Sequence, residues 1–129
     1  MITYAFDQTL VPLIQAGHLC QTFRGPSLRH ARPGERIRLT DRQNFLPVIE
    51  DPICTSVERC EISWERRRIH TIRLAGMPLV NHLTFARSLA FWSVEEMEEE
   101  LARAFQPDYI EGFLISWESP RVLAEEVAA

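Results

Sequence analysis

The stretch Gly17–Arg42, which reads GHLCQTFRGPSLRHARPGERIRLTDR, carries the pattern on which both the predicted fold and the predicted site depend. It holds six arginines and two histidines against only two acids, Glu35 and Asp41. Two turn sequences, Arg24-Gly25-Pro26 and Arg32-Pro33-Gly34, fold this charge back on itself. By itself the stretch predicts a surface that faces an anion, and it does not specify which anion.

Charge is distributed unevenly along the chain. Residues 1–73 contain 11 Arg and 8 acids, a net +3, whereas residues 74–129 contain 3 Arg and 10 acids, a net −7, which gives −4 in total. The acidic total excludes a uniformly basic protein that coats nucleic acid, and it leaves open a local contact with few phosphates. All 14 basic residues are arginine, so a lysine nucleophile and a P-loop lysine are excluded.

Length and composition favour one soluble globular domain over all 129 residues, since 46% of them are hydrophobic and 25% are charged. The three cysteines follow an N-terminus that has neither the basic nor the apolar region of a signal peptide. No apolar run approaches the ~20 residues that span a bilayer. These observations predict a cytoplasmic protein with reduced thiols and no membrane partner.

Residue periodicity predicts short strands and three helices. Strands are expected over 2–6, 21–24, 36–40, 56–64, 66–74 and 109–117. Helices are expected over 9–16, with Leu10, Leu13 and Ile14 inward, over about 80–90, and from Ser93 to before Pro107, with a short fourth one from Ser119. The run Glu98–Glu100 is assigned to the solvent-facing side of its helix. This order predicts an α+β fold with a small barrel-like sheet and helices at its side.

Residues 6–35 also contain a longer pattern. It begins Phe6…Leu10-Val11-Pro12-x-Ile14-x-Ala16-Gly17-x-x-x-Gln21-Thr22-x-Arg24 and continues Arg29-His30-Ala31-Arg32-Pro33-Gly34-Glu35. This pattern resembles the ASCH domain family (activating signal cointegrator homology), most closely its bacterial and phage single-domain members. The likeness spans about residues 4–117 and leaves 118–129 as a tail. It implies a PUA-like β-barrel of about five to six mostly antiparallel strands, with flanking helices and a cleft beside Thr22-x-Arg24.

The resemblance also implies a function. Members of the family are thought to bind RNA or modified nucleosides, and ribonuclease activity has been reported in one branch. Another branch hydrolyses an acetylated cytidine with a lysine, a threonine and a glutamate, which fall here on Leu19, on Thr22, and on or near Leu89. Because two of the three positions are aliphatic, that mechanism has neither its lysine nor its carboxylate. The resemblance therefore implies a non-catalytic module that binds RNA or a nucleotide-like ligand.

Six residues are predicted to line the ligand site, and these are Gly17, Thr22, Arg24, Arg29, His30 and Arg32. Thr22 and Arg24 alternate on an extended segment, so both face one side, where Arg24 could clamp a phosphate. The alternative is a buried Thr22 and an Arg24 held by an acid of the barrel. Arg29, His30 and Arg32 lie on a turn that is either a phosphate-binding lip or a solvated basic loop.

Other groups are given structural interpretations. The run Arg66–Arg68 is interpreted as the wet turn of a hairpin rather than as a second basic patch. His18-x-Cys20, with Cys54 and Cys60, fits the spacing of a zinc site poorly, so neither a metal nor another cofactor is expected.

Two other functions stay open at this point. One is a nucleoside amidohydrolase or ribonuclease with a rearranged site, in which Thr22 acts with His30 or Cys20. The other is a protein-interaction module, in which the acidic helix around Glu95–Glu100 docks on a partner and the cleft is vestigial.

Overall fold

A computed structural model describes residues 1–27, 29–105 and 109–120 of the chain. Two compact units are distinguished by their internal contacts. The first unit comprises Met1–Gln21, Leu28–Val57 and Ile115–Ala129, and the second comprises Thr22–Ser27 and Glu58–Leu114. The short fourth helix predicted from Ser119 lies almost entirely outside the described residues, and the single domain over 1–129 stays a prediction.

Seven strands and three α-helices make up the described chain. The strands are β1 Ile2–Phe6, β2 Gln21–Arg24, β3 Ile37–Asp41, β4 Cys54–Glu65, β5 Arg68–Leu74, β6 Met77–Pro78 and β7 Tyr109–Trp117. The helices are α1 Val11–Gln15, which follows a 3₁₀ turn Gln8–Leu10, then α2 His82–Ser88 and α3 Val94–Phe105. None of these helices has both the length and the apolar character needed to cross a bilayer.

The strands form an open arrangement. β1 pairs in parallel with β3, and the other five strands follow the order β2-β7-β4-β5-β6. The predicted α+β class is therefore confirmed, and β7 has a neighbour on each side in its sheet. No closed barrel is formed by the strands described, so the barrel closure expected from the resemblance is not seen.

The first unit buries the inward-facing residues of its parallel pair. Ile37 and Leu39 of β3 are fully buried, and Arg38 between them is exposed, as the alternation predicted. The ring of Phe6 packs edge-on against Trp117 of the same unit, at 5.8 Å between centroids. The other buried hydrophobic residues of this unit are Tyr4, Ile14, Leu19, Ala31, Val48, Cys54 and Ile115.

The first helix is shorter than predicted. Only five residues are α-helical, and of the expected inward face only Ile14 is buried, whereas Leu13 is 36% exposed. The reason is that Leu10 belongs to the preceding 3₁₀ turn, where residues do not follow the α-helical period. Pro12 does lie in the first turn, as expected.

The core of the second unit lies between the β4–β5 hairpin, the last strand and the two longer helices. It includes Cys60, Ile62, Ile72, Phe85, Ala86, Leu89, Met97, Leu101, Ile110 and Leu114. The predicted capping signal of α3 is confirmed, because the Ser93 hydroxyl accepts the Glu96 amide at 3.1 Å. The carboxylate of Glu96 in turn accepts the amide of Trp92 rather than that of Ser93.

The run Glu98–Glu100 was predicted to lie largely on the solvent-facing side of α3, and this prediction is wrong for Glu98. Glu98 is 8% exposed, and its carboxylate accepts the backbone amide of Ile69 at 2.6 Å. The β4–β5 register shifts between Ser63 and Trp64, so that β5 carries one extra residue, and such a bulge disrupts the backbone ladder locally. A carboxylate from α3 satisfies the Ile69 amide at this point, which local charge patterning does not reveal.

β6 was not predicted, because Gly76 and Pro78 both interrupt the strand pattern of the sequence. The strand has only two residues, and it pairs Leu74 with Met77 and Arg73 with Pro78. Positive φ angles at Ala75 (52°) and Gly76 (81°) make the turn that allows this pairing.

The predicted hairpin between β4 and β5 is confirmed, with an unusual turn. Glu65 pairs with Arg68, which leaves a two-residue loop of Arg66 and Arg67 with φ angles of 50° and 67°. Two positive φ angles in a two-residue loop are the mark of a type I′ turn, for which Asn-Gly is the favoured sequence. A residue with a Cβ atom and no local side-chain hydrogen bond is strained in this conformation.

We expect the double substitution Arg66→Asn/Arg67→Gly to raise the free energy of unfolding by about 1–2 kcal/mol, because it removes this strain. Urea denaturation measures the change. The matched control, Arg66→Ala/Arg67→Ala, removes the same charges and keeps both Cβ atoms, so its effect should stay within about 0.5 kcal/mol. Equal stabilisation by the two variants would show that charge repulsion, and not backbone strain, opposes folding at this turn.

Candidate functional site

Thr22 and Arg24 form a hydrogen-bonded pair on β2. The Arg24 Nε–H donates to Thr22 Oγ1 at 3.1 Å, and the two residues share one face of the strand, as the alternation predicted. Thr22 is 9% exposed and Arg24 is half-buried. The bond to Nε fixes the plane of the guanidinium, which is the part that recognises phosphate or carboxylate oxygens in a fork geometry.

Two glycines allow close packing around the Thr22–Arg24 pair. A Cβ atom at Gly112 of β7 would collide with the carbonyl oxygen of Arg24 and with the ring of Phe23. A Cβ atom at Gly25 would lie 2.7 Å from the Phe105 ring, which itself meets Phe23 edge-on at 5.8 Å. Arg24 is therefore on a segment whose backbone packs closely on both sides, and such packing restricts where its side chain can reach.

The turn predicted as a phosphate-binding lip is bound by an acid of the chain itself. One carboxylate oxygen of Glu35 accepts from the Arg29 guanidinium at 2.9 Å, and the other accepts the backbone amide of Arg32 at 2.9 Å. A carboxylate thus occupies the position that the prediction gave to an external anion. An external phosphate would have to displace Glu35 to bind there.

His30 is held by Tyr4 of β1. A hydrogen bond of 3.1 Å joins the Tyr4 hydroxyl to His30 Nδ1, and the two rings stack at 6.0 Å with 15° between their planes. The same hydroxyl accepts the backbone amide of Ala31 at 3.1 Å. These contacts give His30 a structural role in fixing the loop to the strand.

Two more arginines of the stretch bind an acid of the first unit. Arg38 contacts the Asp51 carboxylate with both Nε and Nη2, at 3.2 and 3.0 Å, and Arg36 donates to the Asp51 carbonyl at 3.0 Å. The hydrogen bond from Arg38 holds the pKa of Asp51 below its usual range. Three of the arginines that predicted an anion-facing surface, Arg29, Arg36 and Arg38, therefore bind oxygens of the protein itself.

Gly17 acts as a helix-terminating residue. Its φ of 78° places it in the left-handed region, and its amide donates to the Ile14 carbonyl at 3.1 Å after the last turn of α1. Its own carbonyl accepts from the Cys20 thiol at 3.4 Å. The predicted helix stop is thus confirmed, while a ligand contact from Gly17 stays a prediction.

The two aliphatic residues that the resemblance places at a lysine and a glutamate are buried. Leu19 is 2% exposed in the first unit, and Leu89 is 8% exposed in the core of the second. Each fills its own core, so neither position offers a group that could transfer a proton.

The structure brings together two groups of the predicted site residues. Thr22 pairs with Arg24 in the second unit, and Arg29 meets the Arg32 amide through Glu35 in the first. Glu35 was missed as a partner, although an acid three residues after Arg32 in a turn is a signal for such a contact. Within the described ranges, no three His, Cys, Asp or Glu side chains are grouped so that they could hold a metal ion.

A charged network on the sheet also escaped the sequence analysis. Arg59 contacts Glu111 at 2.6 Å and Glu61 at 3.6 Å, and the Tyr109 hydroxyl donates to Glu61 at 2.7 Å. The hydrogen bond to Glu61 raises the pKa of Tyr109. The network sets one arginine against two glutamates, and this excess of negative charge is the pattern of a structural cluster rather than of an anion site.

Comparison with known proteins gives no further guide, because no family model, curated protein or solved structure matches this chain. Membership of the ASCH family therefore stays a prediction.

Two of the three cysteines, Cys54 and Cys60, are buried. Burial raises the pKa of the Cys60 thiol to about 12, against an ordinary value of 9.0, and burial also raises the pKa of Cys54. The thiolate is the nucleophilic form, so Cys60 is a core residue and not a candidate nucleophile.

We expect iodoacetamide at pH 8 to alkylate Cys60 in the folded protein about a thousandfold more slowly than in urea, because its pKa is about 12 rather than 9.0. Peptide mass spectrometry over a time course measures the rate at each cysteine. Cys60 that reacts in the folded protein as fast as in urea would contradict the burial described.

Proposed function

We propose that this protein is a non-catalytic, ASCH-type module with a PUA-like fold that binds RNA or a nucleotide-like ligand through Thr22 and Arg24. The observation that carries the proposal is the hydrogen-bonded pair on β2, in which Thr22 orients the Arg24 guanidinium. A guanidinium held in one plane pairs with phosphate oxygens in the bidentate manner that a point charge does not offer. The threonine hydroxyl lies beside it, where it can contact a sugar hydroxyl or a base edge.

The absence of catalysis is supported by two features of the chain. It contains no lysine, and the positions that match the lysine and the glutamate of the amidohydrolase branch are Leu19 and Leu89, both buried. These features support binding without turnover.

The sharpest test uses a variant that removes the pair without leaving a buried hydroxyl unsatisfied. Arg24→Ala alone strips Thr22 of its donor and costs stability, whereas Thr22→Val/Arg24→Ala replaces both partners by apolar groups. We expect the double variant to bind uridine monophosphate and modified nucleotides roughly 10- to 100-fold more weakly than the parent, since it loses a charge-assisted hydrogen bond to phosphate. Fluorescence or calorimetric titration measures the affinity.

Arg87→Ala is the charge-matched control, because Arg87 is an exposed arginine of α2 in the same unit. It should bind like the parent, and Arg24→Lys should lie between the two. Parental affinity in the double variant would exclude the pair as the site. Turnover of acetylated cytidine or RNA by the purified parent, lost on Thr22→Ala, would replace this proposal with the hydrolase.

A protein-interaction module is the second candidate, and the exposed glutamates of α3 favour it. On α3, Glu95, Glu99 and Glu100 are exposed and give the helix an acidic surface.

If this second function is the correct one, the parent should bind none of the nucleotides. Glu95→Ala/Glu99→Ala/Glu100→Ala should then lose a partner that the parent captures, because the acidic surface is removed while the buried Glu98 is kept. Affinity capture with both proteins measures this loss. Thr22→Val/Arg24→Ala is the control and should retain the partner.

A further inference from the structure

The tip of the β4–β5 hairpin concentrates positive charge. Arg66, Arg67 and Arg68 follow one another there, and all three are exposed. The acids nearby have other partners: Glu95 contacts Arg68 at 3.7 Å, and Glu65 contacts His70 at 3.6 Å. Across the described residues, Arg66 and Arg67 take part in no ion pair.

This distinguishes the tip from three arginines of the Gly17–Arg42 stretch. There, Arg29, Arg36 and Arg38 all donate to carboxylate or carbonyl oxygens of the chain. Arg66 and Arg67 also adopt left-handed backbone conformations, at φ angles of 50° and 67°. Strain of this kind persists only where the surroundings impose it, and it is concentrated at functional sites.

Solubility alone does not explain this arrangement. The type I′ turn needs two residues with positive φ, and Asn-Gly would supply them without strain. Exposed charges can be placed on any wet position of a strand or helix, with no backbone cost. Two exposed arginines therefore occupy turn positions that Asn-Gly would fill without strain.

We infer that this hairpin tip is a second contact for RNA, in which Arg66 and Arg67 bind phosphates of the backbone. The inference rests on the proposed function in taking RNA as the ligand, and it does not depend on the Thr22–Arg24 pair. Arginine forks bind phosphate oxygens bidentately, and a stiff two-stranded hairpin holds them with little loss of freedom on binding. Such a contact requires a polynucleotide and contributes nothing to the affinity of a mononucleotide.

The residues of the tip favour RNA over a membrane surface. Glu65-Arg66-Arg67-Arg68 contains no apolar side chain that could insert among lipid chains. Basic segments that bind anionic lipids usually carry four to eight Lys or Arg, whereas this tip has three arginines with two acids beside it. Phosphate contacts by two arginines are enough to give a sequence-independent, salt-dependent term in RNA affinity.

The experiment measures binding of a single-stranded oligouridylate by fluorescence anisotropy, between about 50 and 200 mM salt. Arg66→Asn/Arg67→Gly should bind roughly 10- to 30-fold more weakly near 100 mM salt, and the slope of log K against log salt should become shallower by about 1.4. Its affinity for uridine monophosphate should equal that of the parent. Because this variant favours the turn, its melting temperature should not fall, and lost binding cannot be attributed to unfolding.

Two controls separate a contact from a general effect of charge. Arg87→Ala/Arg103→Ala removes two exposed arginines elsewhere and should leave the salt slope unchanged. Arg66→Lys/Arg67→Lys keeps the charge and should retain the slope with a smaller loss of affinity. Equal losses in the tip variant and in Arg87→Ala/Arg103→Ala would overturn the inference, since they would show long-range charge alone.

The outcomes also separate this inference from the proposed function. If the tip variant binds oligouridylate more weakly while Thr22→Val/Arg24→Ala leaves mononucleotide binding unchanged, the tip is supported as an RNA contact and the β2 pair is rejected as the site. Unchanged oligouridylate affinity and slope in the tip variant would reject the tip, whatever the β2 pair does. Loss of binding to phosphatidylserine vesicles, without loss of binding to RNA, would assign the tip to a membrane surface and overturn the inference.

Discussion

A single buried carboxylate ties the helical part of the second unit to its sheet. Glu98 of α3 accepts the backbone amide of Ile69 at 2.6 Å, at the point where the β4–β5 ladder is interrupted by a bulge. A buried amide without a partner lowers the stability of a fold, and so does a buried carboxylate without a donor. The hydrogen bond between the Ile69 amide and Glu98 removes both penalties. Met97 and Leu101, one residue before and three after Glu98, are buried in the same core. The helix therefore meets the sheet through packing, through this buried contact and through the exposed ion pair of Glu95 with Arg68.

The elements that follow a local rule could be predicted from the sequence. β3 alternates strictly, and α3 begins with the serine and glutamate of a capping box. What could not be predicted depends on partners distant in the chain. β6 exists only because two residues reach β5, and the burial of Glu98 follows from a bulge in a strand nearly thirty residues earlier. Neither the pairing of β6 nor the burial of Glu98 changes the hydrophobic periodicity of the sequence around it.

The candidate site was predictable in part, for the same reason. Alternation placed Thr22 and Arg24 on one face, and the side chains are in contact. For the remaining arginines, the sequence does not show whether the side chain binds an acid of the chain or faces water. Both kinds of arginine have the same local sequence. Glu35 and Asp51 make that assignment, and they engage arginines that composition alone would offer to a ligand. Arginine density is thus a weaker guide to an anion site than the balance of acids around each guanidinium.

The bulge in β5 has a consequence for how this hairpin can vary. Ile69 and Ile72 lie three residues apart, an odd spacing that would put them on opposite faces of a regular strand, yet both pack against the core. The extra residue in β5 corrects the phase, because Trp64 faces Ile69 while Ile62 faces Ile72. The bulge therefore separates two segments of β5, and the inward-facing positions of one segment do not fix those of the other. Related chains could lose or gain an odd number of residues at the tip, absorb the change at this position, and keep Ile72 and Leu74 facing inward.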